Sequence, residues 1–462
     1  MTPLPFNFER LSSNKVFISN IGGFSNIIDS DDLVPLIESP SDLGYTKRHE
    51  LQQQNFITTS DDYKLSITTI ASAFAKRLTA EIQFNPVFMV VPTLRCDHTC
   101  KYCQVARAPI EQTQYDLKES DLALIVQRIL VLGKAPYCIE IQGGEPLIRF
   151  DLIQKLYDLC ESELIEFKFV IASSLSLLTN DILNWAKSRN VDFSMSLDGL
   201  KEAHDANRIL ASDSSYHRAI QGALAVKSTL GLERLGVVTT ITKDSLKSYE
   251  ELVKSHLDLG ITSFFIRPLS PYGFAGKKEM GSYELTDYFI FYRNFLKRLK
   301  ELWLIGHLVS EHSIGVHIKR LISPTFNSYA DLKSPSGFGL NAILFNYDGR
   351  IFGSDEARML QRLHPEIDFS LGDLSDNTLN ISAITKSIVD GGINYNKPGC
   401  VDCAFQPFCG ADPLQNISLF GESIGHKAHS PFCEYHKGMF RIALEYLYGS
   451  PEDKSFILDV AQ

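Results

Sequence analysis

The sequence has no apolar run long enough to cross a membrane and no excess of basic residues. Its longest apolar runs, such as 87–91 and 129–132, fall far below the roughly 20 residues of a membrane-spanning helix. The N-terminus lacks a basic stretch followed by an apolar core, so we expect a cytoplasmic protein without membrane contact. With a net charge of −10 and a pI near 5.7, we also expect no nucleic-acid partner, because phosphate binding needs Lys and Arg in excess.

Cysteine is scarce, with only nine among 462 residues, yet seven of them fall in two groups. Three lie within residues 96–103 and four within residues 400–433. A reducing cytosol disfavours disulfides, and short spacings between cysteines suit metal ligation. The seven grouped cysteines are therefore candidate metal ligands, whereas Cys138 and Cys160 are expected to be small buried hydrophobic side chains.

The middle of the chain predicts repeated βα units. From Pro86 onward, short apolar segments alternate with amphipathic segments. The predicted strands are 87–94, 137–142, 167–173, 191–197, 235–240 and 263–269. The predicted helices are 119–132, 151–164, 181–188, 216–230, 249–259 and 285–302. These units are too few to close an eight-unit barrel, so we expect an α/β fold with an open, partial (βα)6 barrel over residues 86–304.

A smaller domain is expected on each side of the barrel, since the chain length suggests two or three domains. In residues 1–80, segments 15–19 and 25–28 flank Gly22-Gly23 and predict a hairpin, which short helices follow. A phosphate loop at the two glycines is the alternative, but no Lys-Ser or Lys-Thr follows them. Residues 306–462 form the third predicted domain, rich in Gly and Ser loops.

The first cysteine group, Cys96-x3-Cys100-x2-Cys103, directly follows the first predicted barrel strand. Three thiolates on one loop can bind three irons of a [4Fe–4S] cubane and leave the fourth iron without a protein ligand. S-adenosylmethionine (SAM) can chelate that iron, and its reductive cleavage yields a 5′-deoxyadenosyl radical that abstracts hydrogen. A zinc knuckle or a redox-active thiol pair is the alternative for the same spacing.

Two further motifs strengthen this hypothesis, a Gly-Gly-Glu-Pro segment at 143–146 and a Ser-Leu-Asp-Gly segment at 196–199. Together with the cysteine loop they resemble the radical SAM superfamily over roughly residues 86–304. The resemblance implies contacts with the SAM amino group from Gly143, Gly144 and Glu145, and with the ribose region from Ser196 and Asp198. A carboxylate such as Glu145 is a suitable acceptor for an ammonium-like donor.

The resemblance also implies two other side chains at the same ligand. The segment His204-Asp205-x2-Arg208 is similar to one whose arginine faces the SAM carboxylate, a pairing that guanidinium geometry favours. An exposed salt bridge on a helix is the alternative role for Arg208. Tyr102 is implied to pack near the adenine, with a purely structural aromatic as the alternative.

The second cysteine group resembles the C-terminal auxiliary-cluster region called SPASM, which usually carries two [4Fe–4S] clusters. Its members are Cys400, Cys403, Cys409 and Cys433. Ser354 and Pro413 stand where two cysteines of one auxiliary cluster normally occur, and neither replaces a soft thiolate. The resemblance therefore implies two [4Fe–4S] clusters in all, one on each cysteine group, with zinc as the alternative for the second group.

Asp355 directly follows Ser354. In related maturases, a carboxylate at this place takes a proton from the substrate. The resemblance therefore makes Asp355 the candidate catalytic base, and a solvated surface turn is the alternative.

The overall pattern is most similar to the His-Xaa-Ser system radical SAM maturases, designated HxsB, which act as one of two paired enzymes. The segments that carry this resemblance are 92–96, 104–107 and 354–360. The N-terminal hairpin and helices also resemble winged-helix domains that bind leader peptides by adding a strand to a sheet edge. These resemblances imply three partners: a precursor peptide with a leader sequence, an electron donor such as flavodoxin or ferredoxin, and a paired second radical SAM enzyme.

The implied reaction is hydrogen abstraction from a side-chain carbon of the precursor, followed by closure of a carbon–carbon or carbon–heteroatom crosslink such as a cyclophane. Oxidation of Cys or Ser to formylglycine in a sulfatase-type protein and peptide epimerisation are the alternative enzyme reactions. A zinc-bearing adaptor without catalysis is the alternative outside enzymes, and the set of SAM-like motifs argues against it.

Overall fold

The computed structural model describes residues 1–82, 85–105, 107–211, 213–270, 272, 283–326, 332–376, 379 and 382–461. Ala106, part of the 104–107 segment named above, lies outside the described residues. None of the described helices combines the length and apolar character that a membrane span requires.

The N-terminal unit is a small antiparallel sheet covered by helices. Its strands are β1 (Thr2–Pro3), β2 (Asn7–Arg10), β3 (Lys15–Ser19), β4 (Ser25–Asp29) and β5 (Ile57–Thr58), and its helices are α1 (Ser30–Glu38), α2 (Tyr45–Gln53) and α3 (Tyr63–Ile82). The sheet has the order β2-β3-β4, and β1 pairs with β5. The predicted β3–β4 hairpin is confirmed. The edge strand β2 and the long helix α3 were not predicted, because neither has a strong apolar period.

The barrel follows the predicted alternation of strands and helices closely. Its strands are β6 (Val87–Val90), β7 (His98–Cys100), β8 (Tyr137–Ile141), β9 (Phe167–Ala172), β10 (Val191–Ser196), β11 (Arg208–Leu210), β12 (Leu235–Thr240), β13 (Ser263–Phe264) and β14 (Ile266–Arg267). Its helices are α4 (Leu122–Leu132), α5 (Phe150–Glu163), α6 (Asn180–Lys187), α7 (Lys201–Asn207), α8 (Ser215–Thr229), α9 (Tyr249–Leu259) and α10 (Leu285–Leu304). The parallel strands run in the order β14-β12-β10-β9-β8-β6.

The C-terminal region continues the barrel sheet. Its strands are β15 (Ser310–Glu311), β16 (Ala342–Phe345), β17 (Arg350–Phe352) and β18 (Ser370–Asp373). Its helices are α11 (His312–Ile322), α12 (Asp355–Leu363), α13 (Ala383–Gly391), α14 (Pro413–Phe420), α15 (Pro431–Leu447) and α16 (Pro451–Val460). Strand β16 pairs in parallel with β6, and β17 and β18 then extend the sheet to nine strands. The C-terminal region is thus joined to the barrel by backbone hydrogen bonds.

Period-two burial explains which side of the barrel sheet faces the site. In β8, Ile139 and Ile141 are fully buried against the helices, whereas Cys138 and Glu140 lie on the opposite, inner face. The helices begin at side-chain caps where the sequence offers them, as at Thr179 before α6 and Ser214 before α8. Because the barrel strands are parallel, their carboxyl ends lie at the same edge of the sheet, and the loops that follow them carry the site.

Candidate active site

The loop that holds the first three cysteines is anchored at its base by backbone bridges and one ion cluster. Thr93 bridges to Asp116, and Arg95 bridges to Ala108. The Asp116 carboxylate accepts hydrogen bonds from Arg95 at 2.8 and 2.7 Å, from the Thr93 hydroxyl at 2.6 Å and from Arg149 at 3.1 Å. Because charge-assisted bidentate pairs are directional, this cluster fixes where the loop leaves the barrel.

The other side of the loop is fixed by a short sheet. Strand β7, which ends at Cys100, pairs antiparallel with β11, so that Arg208 lies opposite Cys100. We call the surroundings of Cys96, Cys100 and Cys103 the barrel site. Burial raises the pKa of the Cys100 thiol to about 11, although Arg208 acts in the opposite direction. Bare thiolates are therefore disfavoured here, and an iron cluster fits because it supplies the compensating positive charge to an all-sulfur donor set.

A directional hydrogen-bond chain lies beneath the barrel site. His204 Nδ1 accepts from the Asp198 backbone N–H, so its Nε2 donates to the Ser215 hydroxyl at 3.1 Å. Ser215 then donates to His98 Nε2 at 2.9 Å, and His98 Nδ1 donates to Asp97 at 2.8 Å. Cys96, Asp97 and His98 place their ligand atoms within 4.8 Å of one another, but this chain occupies Asp97 and His98. Sequence reasoning missed it, since Ser215 and His98 are distant along the chain.

The two glycines after β8 press directly against the cysteine loop. Gly143 has a φ of +148°, and a Cβ atom there would lie 2.3 Å from the Thr93 carbonyl oxygen. A Cβ at Gly144 would lie 2.2 Å from the Arg95 carbonyl oxygen. Only glycine permits this approach of backbone to backbone. The backbone of both residues thus lies beside the cysteine loop, and their contact with SAM stays a prediction.

Glu145 is buried and its carboxylate is already surrounded by donors. One oxygen accepts from the Ser173 hydroxyl at 2.8 Å and the Leu147 N–H at 3.2 Å. The other accepts from the Ser174 N–H at 2.9 Å and the Ser174 hydroxyl at 2.7 Å. Burial raises the pKa of Glu145, which these hydrogen bonds partly offset. A contact between Glu145 and the SAM amino group, which stays a prediction, requires one of the serine hydroxyls to turn away.

Tyr102, Asp198 and Arg208 form one connected group beside Cys100. The Tyr102 hydroxyl donates to Asp198, and Arg208 Nε donates to the same oxygen at 3.3 Å. The Arg208 guanidinium also lies 5.3 Å from the centre of the Tyr102 ring. Since the Asp198 side chain is fully buried, the alternative of an exposed salt bridge for Arg208 is wrong. Ser196, the remaining predicted SAM contact, is the half-buried last residue of β10.

Asp355 lies at the start of α12 and is tied to the cysteine loop through an arginine. Arg358 is buried and donates to Asp355 Oδ1 at 2.9 and 2.7 Å, and to the Val105 carbonyl at 3.3 Å. Ser354, at the place of a missing cluster cysteine, caps the same helix by accepting from Ala357 N–H at 3.2 Å. Asp355 is therefore held by hydrogen bonds from Arg358. A solvated surface turn, the alternative for this residue, would have left its carboxylate free of such contacts.

Glu140 is a further carboxylate that sequence reasoning did not select. It lies on the inner face of β8, where burial, followed by the nearby Asp355, raises its pKa to about 7, while Arg267 acts in the opposite direction. A charged residue between Ile139 and Ile141 was the available sequence signal, because it marks a strand position that faces the barrel interior. Asp355 therefore lies close enough to Glu140 for the two carboxylates to interact electrostatically.

The four C-terminal cysteines also come together, and we call their surroundings the auxiliary site. Cys400, Cys403 and Cys433 all lie close enough to Cys409 to raise its pKa, after burial as the larger cause. Cys433 sits in the first turn of α15, where its N–H donates to the Ser430 hydroxyl at 3.3 Å. This all-thiolate set fits a four-iron cluster. Pro413 begins α14 behind the Asp412 cap, a role that proline suits.

The comparisons with known proteins agree with this geometry. Residues 90–258 match the model of the Radical SAM superfamily. The cysteine-type anaerobic sulfatase-maturating enzyme of Clostridium novyi (strain NT) is 21% identical over 324 residues, which are 68% of this chain and 83% of the relative.

Solved structures share the fold over most of the chain. Native anSMEcpe with bound AdoMet superposes with a TM-score of 0.65 at 16% identity, over 81% of this chain and 99% of that chain. Streptococcus suis SuiB bound to S-adenosylmethionine superposes with a TM-score of 0.56 at 17% identity, over 94% of this chain and 100% of that chain.

The protein is therefore an enzyme with the radical SAM α/β fold and a partial barrel, and its cofactors are a [4Fe–4S] cluster and SAM. When bound, the pair supplies a 5′-deoxyadenosyl radical for hydrogen abstraction. The backbone of Gly143 and Gly144 packs against the segment that leads into the cysteine loop, and Arg208 and Asp198 form an ion pair beside Cys100.

Proposed function

We propose that the enzyme modifies a ribosomally made precursor peptide by hydrogen abstraction from a side-chain carbon and closure of a carbon–carbon or carbon–heteroatom crosslink, such as a cyclophane. The observation that carries this proposal is the N-terminal unit. Its sheet has the order β2-β3-β4, so within the described residues each outer strand offers one edge. An exposed edge can accept an extended peptide as an added strand. We assign leader recognition to residues 1–80, radical chemistry to residues 86–304 and the auxiliary site to residues 306–462.

Contacts between the N-terminal unit and the auxiliary site support a joint role. The Phe17 ring of β3 stacks on Phe405 at 5.3 Å, and the Ser19 hydroxyl donates to the Ala404 carbonyl. Asn7 of β2 donates to the Val401 carbonyl at 2.8 Å. A leader bound at this sheet would lie next to the segment that carries Cys400 to Cys409. The fold shared with SuiB covers 94% of this chain, and one SuiB structure holds the precursor peptide SuiA.

Asp355 is the proposed base for the substrate proton. Both hydrogen bonds from Arg358 go to Oδ1, so among the described residues Oδ2 is the oxygen that remains for the proton. Ring closure removes two hydrogens from the peptide. One leaves as a hydrogen atom to the 5′-deoxyadenosyl group, one proton goes to Asp355, and one electron goes to the auxiliary site, so atoms and electrons balance.

We further propose that the finer family is the HxsB group of His-Xaa-Ser system maturases, on the strength of segments 92–96 and 354–360. The partners are then a precursor peptide with a leader, a flavodoxin or ferredoxin as electron donor, and a paired second radical SAM enzyme.

The test is co-expression with a precursor encoded beside the enzyme, followed by tandem mass spectrometry. The expected product has lost two hydrogens for each crosslink and gives no fragment ions between the linked residues. A precursor without its leader serves as the control and should stay unmodified. Unmodified full-length precursor, in a preparation that cleaves SAM, would contradict the proposal.

Formylglycine formation is the second candidate, favoured by the similarity to the sulfatase-maturating enzyme over 68% of this chain. Its product carries an aldehyde, whereas a crosslink does not. A hydrazide probe that labels the modified peptide would therefore favour this candidate, and unlabelled peptide that has lost two hydrogens would favour the crosslink. Epimerised peptide would have an unchanged mass.

A further inference from the structure

Lys427 occupies a special position at the auxiliary site. It begins the turn Lys427–His429 that leads into α15. Its ammonium group donates to the carbonyl oxygen of Gly399, the residue before Cys400. Its side chain crosses Gly399, where a Cβ atom would lie 3.1 Å from Lys427 Cδ. The half-buried ammonium group is thus fixed against the cysteines rather than free in solvent.

Lys427 acts on several of the auxiliary cysteines. It interacts electrostatically with Cys400, Cys403 and Cys433. Further cations act on three of these cysteines: Arg320 on Cys409, Lys397 on Cys400 and Lys437 on Cys433. Several cations therefore lie near the auxiliary thiols.

The barrel site has the opposite surroundings. Cys96 interacts with the carboxylates of Glu145 and Asp97, and Cys100 interacts with those of Asp198 and Asp97. Arg208 is the cation that acts on Cys100. Reduction adds negative charge to an iron–sulfur cluster, so nearby cations and N–H···S hydrogen bonds raise its reduction potential and nearby carboxylates lower it.

We propose that Lys427 is a positioning residue for the auxiliary cluster, where its ammonium group, held beside Cys400, raises the reduction potential of that cluster. The electron that the substrate loses on ring closure then passes to the auxiliary cluster, which is reduced by one electron. This inference rests on the proposed function, because it needs an iron–sulfur cluster at the auxiliary site.

The test is a redox titration followed by electron paramagnetic resonance. The full-length variant with Cys96→Ala, Cys100→Ala and Cys103→Ala removes the barrel cluster, so that the signal of the auxiliary cluster is recorded alone. Lys427→Met is then added to this background. In the Lys427→Met variant, we expect the ratio of reduced to oxidised cluster at a given potential to fall about tenfold. For a one-electron couple, this corresponds to a midpoint potential that is lower by about 59 mV.

Two variants make the measurement specific. Lys427→Arg keeps the charge and should shift the ratio much less than Lys427→Met. Lys254→Met removes a distant exposed lysine paired with Asp258 and should leave the midpoint unchanged, although it changes the net charge equally. Iron analysis checks that each variant holds about four irons per chain.

The possible outcomes distinguish a failure of the inference on Lys427 from a failure of the auxiliary cluster itself. A four-iron Lys427→Met variant with the midpoint of its parent would overturn the inference and leave the proposed function standing. An equal shift in Lys254→Met would also overturn it, since the effect would then be one of net charge. A background variant that contains zinc and gives no reducible cluster would overturn the auxiliary cluster itself, and the inference with it.

Discussion

The barrel site and the auxiliary site differ in how the chain assembles them. The base of the barrel loop is anchored by nearby residues, such as Arg95 on Asp116 and the bridge from Arg95 to Ala108. The auxiliary loop is held by distant segments: Arg77 of α3 donates to the Pro407 carbonyl at 3.1 Å, and Arg320 of α11 donates to the Phe408 carbonyl at 2.9 Å. The barrel site is thus held mostly by segments of the barrel itself, whereas the auxiliary site exists only where three parts of the chain meet.

The two sites also differ in charge and in number of thiols. Three cysteines among carboxylates suit a cluster with one open iron for SAM, and four cysteines among cations suit a closed cluster that accepts electrons. The difference suggests one site that starts the reaction and another that completes it.

The largest expected effect comes from removing the barrel thiols. In protein reconstituted without oxygen and treated with a strong reductant, Cys96→Ala, Cys100→Ala and Cys103→Ala together should stop 5′-deoxyadenosine formation, because each change removes one of three cluster ligands. Liquid chromatography of the products measures this. The iron of the auxiliary site should remain, and undiminished SAM cleavage would disprove the assignment of the barrel site.

Asp355→Asn should block peptide modification without blocking SAM cleavage. We expect 5′-deoxyadenosine to form while modified peptide falls by about 10²–10⁴ in rate, the usual cost of losing a general base. Glu366→Gln, an exposed carboxylate in the same region, is the matched control and should behave like the wild type. Normal product yield from Asp355→Asn would show that this carboxylate only positions α12.

Phe17→Ala, a change in the N-terminal unit, should lower the stability of the protein and the iron content of the auxiliary site. Phe17 is fully buried in a core shared with Phe405 and Phe408, and truncating such a ring costs about 3–5 kcal/mol of unfolding free energy. Chemical denaturation measures the loss, and iron analysis should show less iron at the auxiliary site than at the barrel site. Equal iron loss at both sites would show that the two are not assembled separately.

Glu140→Gln should have the smallest effect, a change in how stability depends on pH. The native pKa of about 7 exceeds the ordinary value of 4.5, so the stabilising contribution of the protonated carboxyl is complete below about pH 4.5 and is lost as pH rises through about 7. Glu140→Gln should therefore melt at a higher temperature than wild type at pH 8, with a smaller difference at pH 5. The same difference at both values would contradict the raised pKa.

Much of the fold was predictable because it is encoded locally. The barrel helices and strands lie within a few residues of their predicted bounds, since each has its own apolar period. The pairing of β16 with β6 was not predictable from periodicity, because it joins strands about 250 residues apart. The same holds for Lys427 near Cys403 and for Ser215 near His98, whose spacing along the chain gives no signal.

The iron content of the intact enzyme tests the two-site account most directly. Iron and sulfide analysis with Mössbauer spectroscopy should find about eight irons per chain in two four-iron clusters, and about half of that when Cys400 and Cys403 are both changed to Ala. About twelve irons per chain, all in intact clusters, would reveal a further ligand set and contradict the account. The account would also be wrong if the intact enzyme held only about four irons per chain and changing Cys96, Cys100 and Cys103 removed all of them.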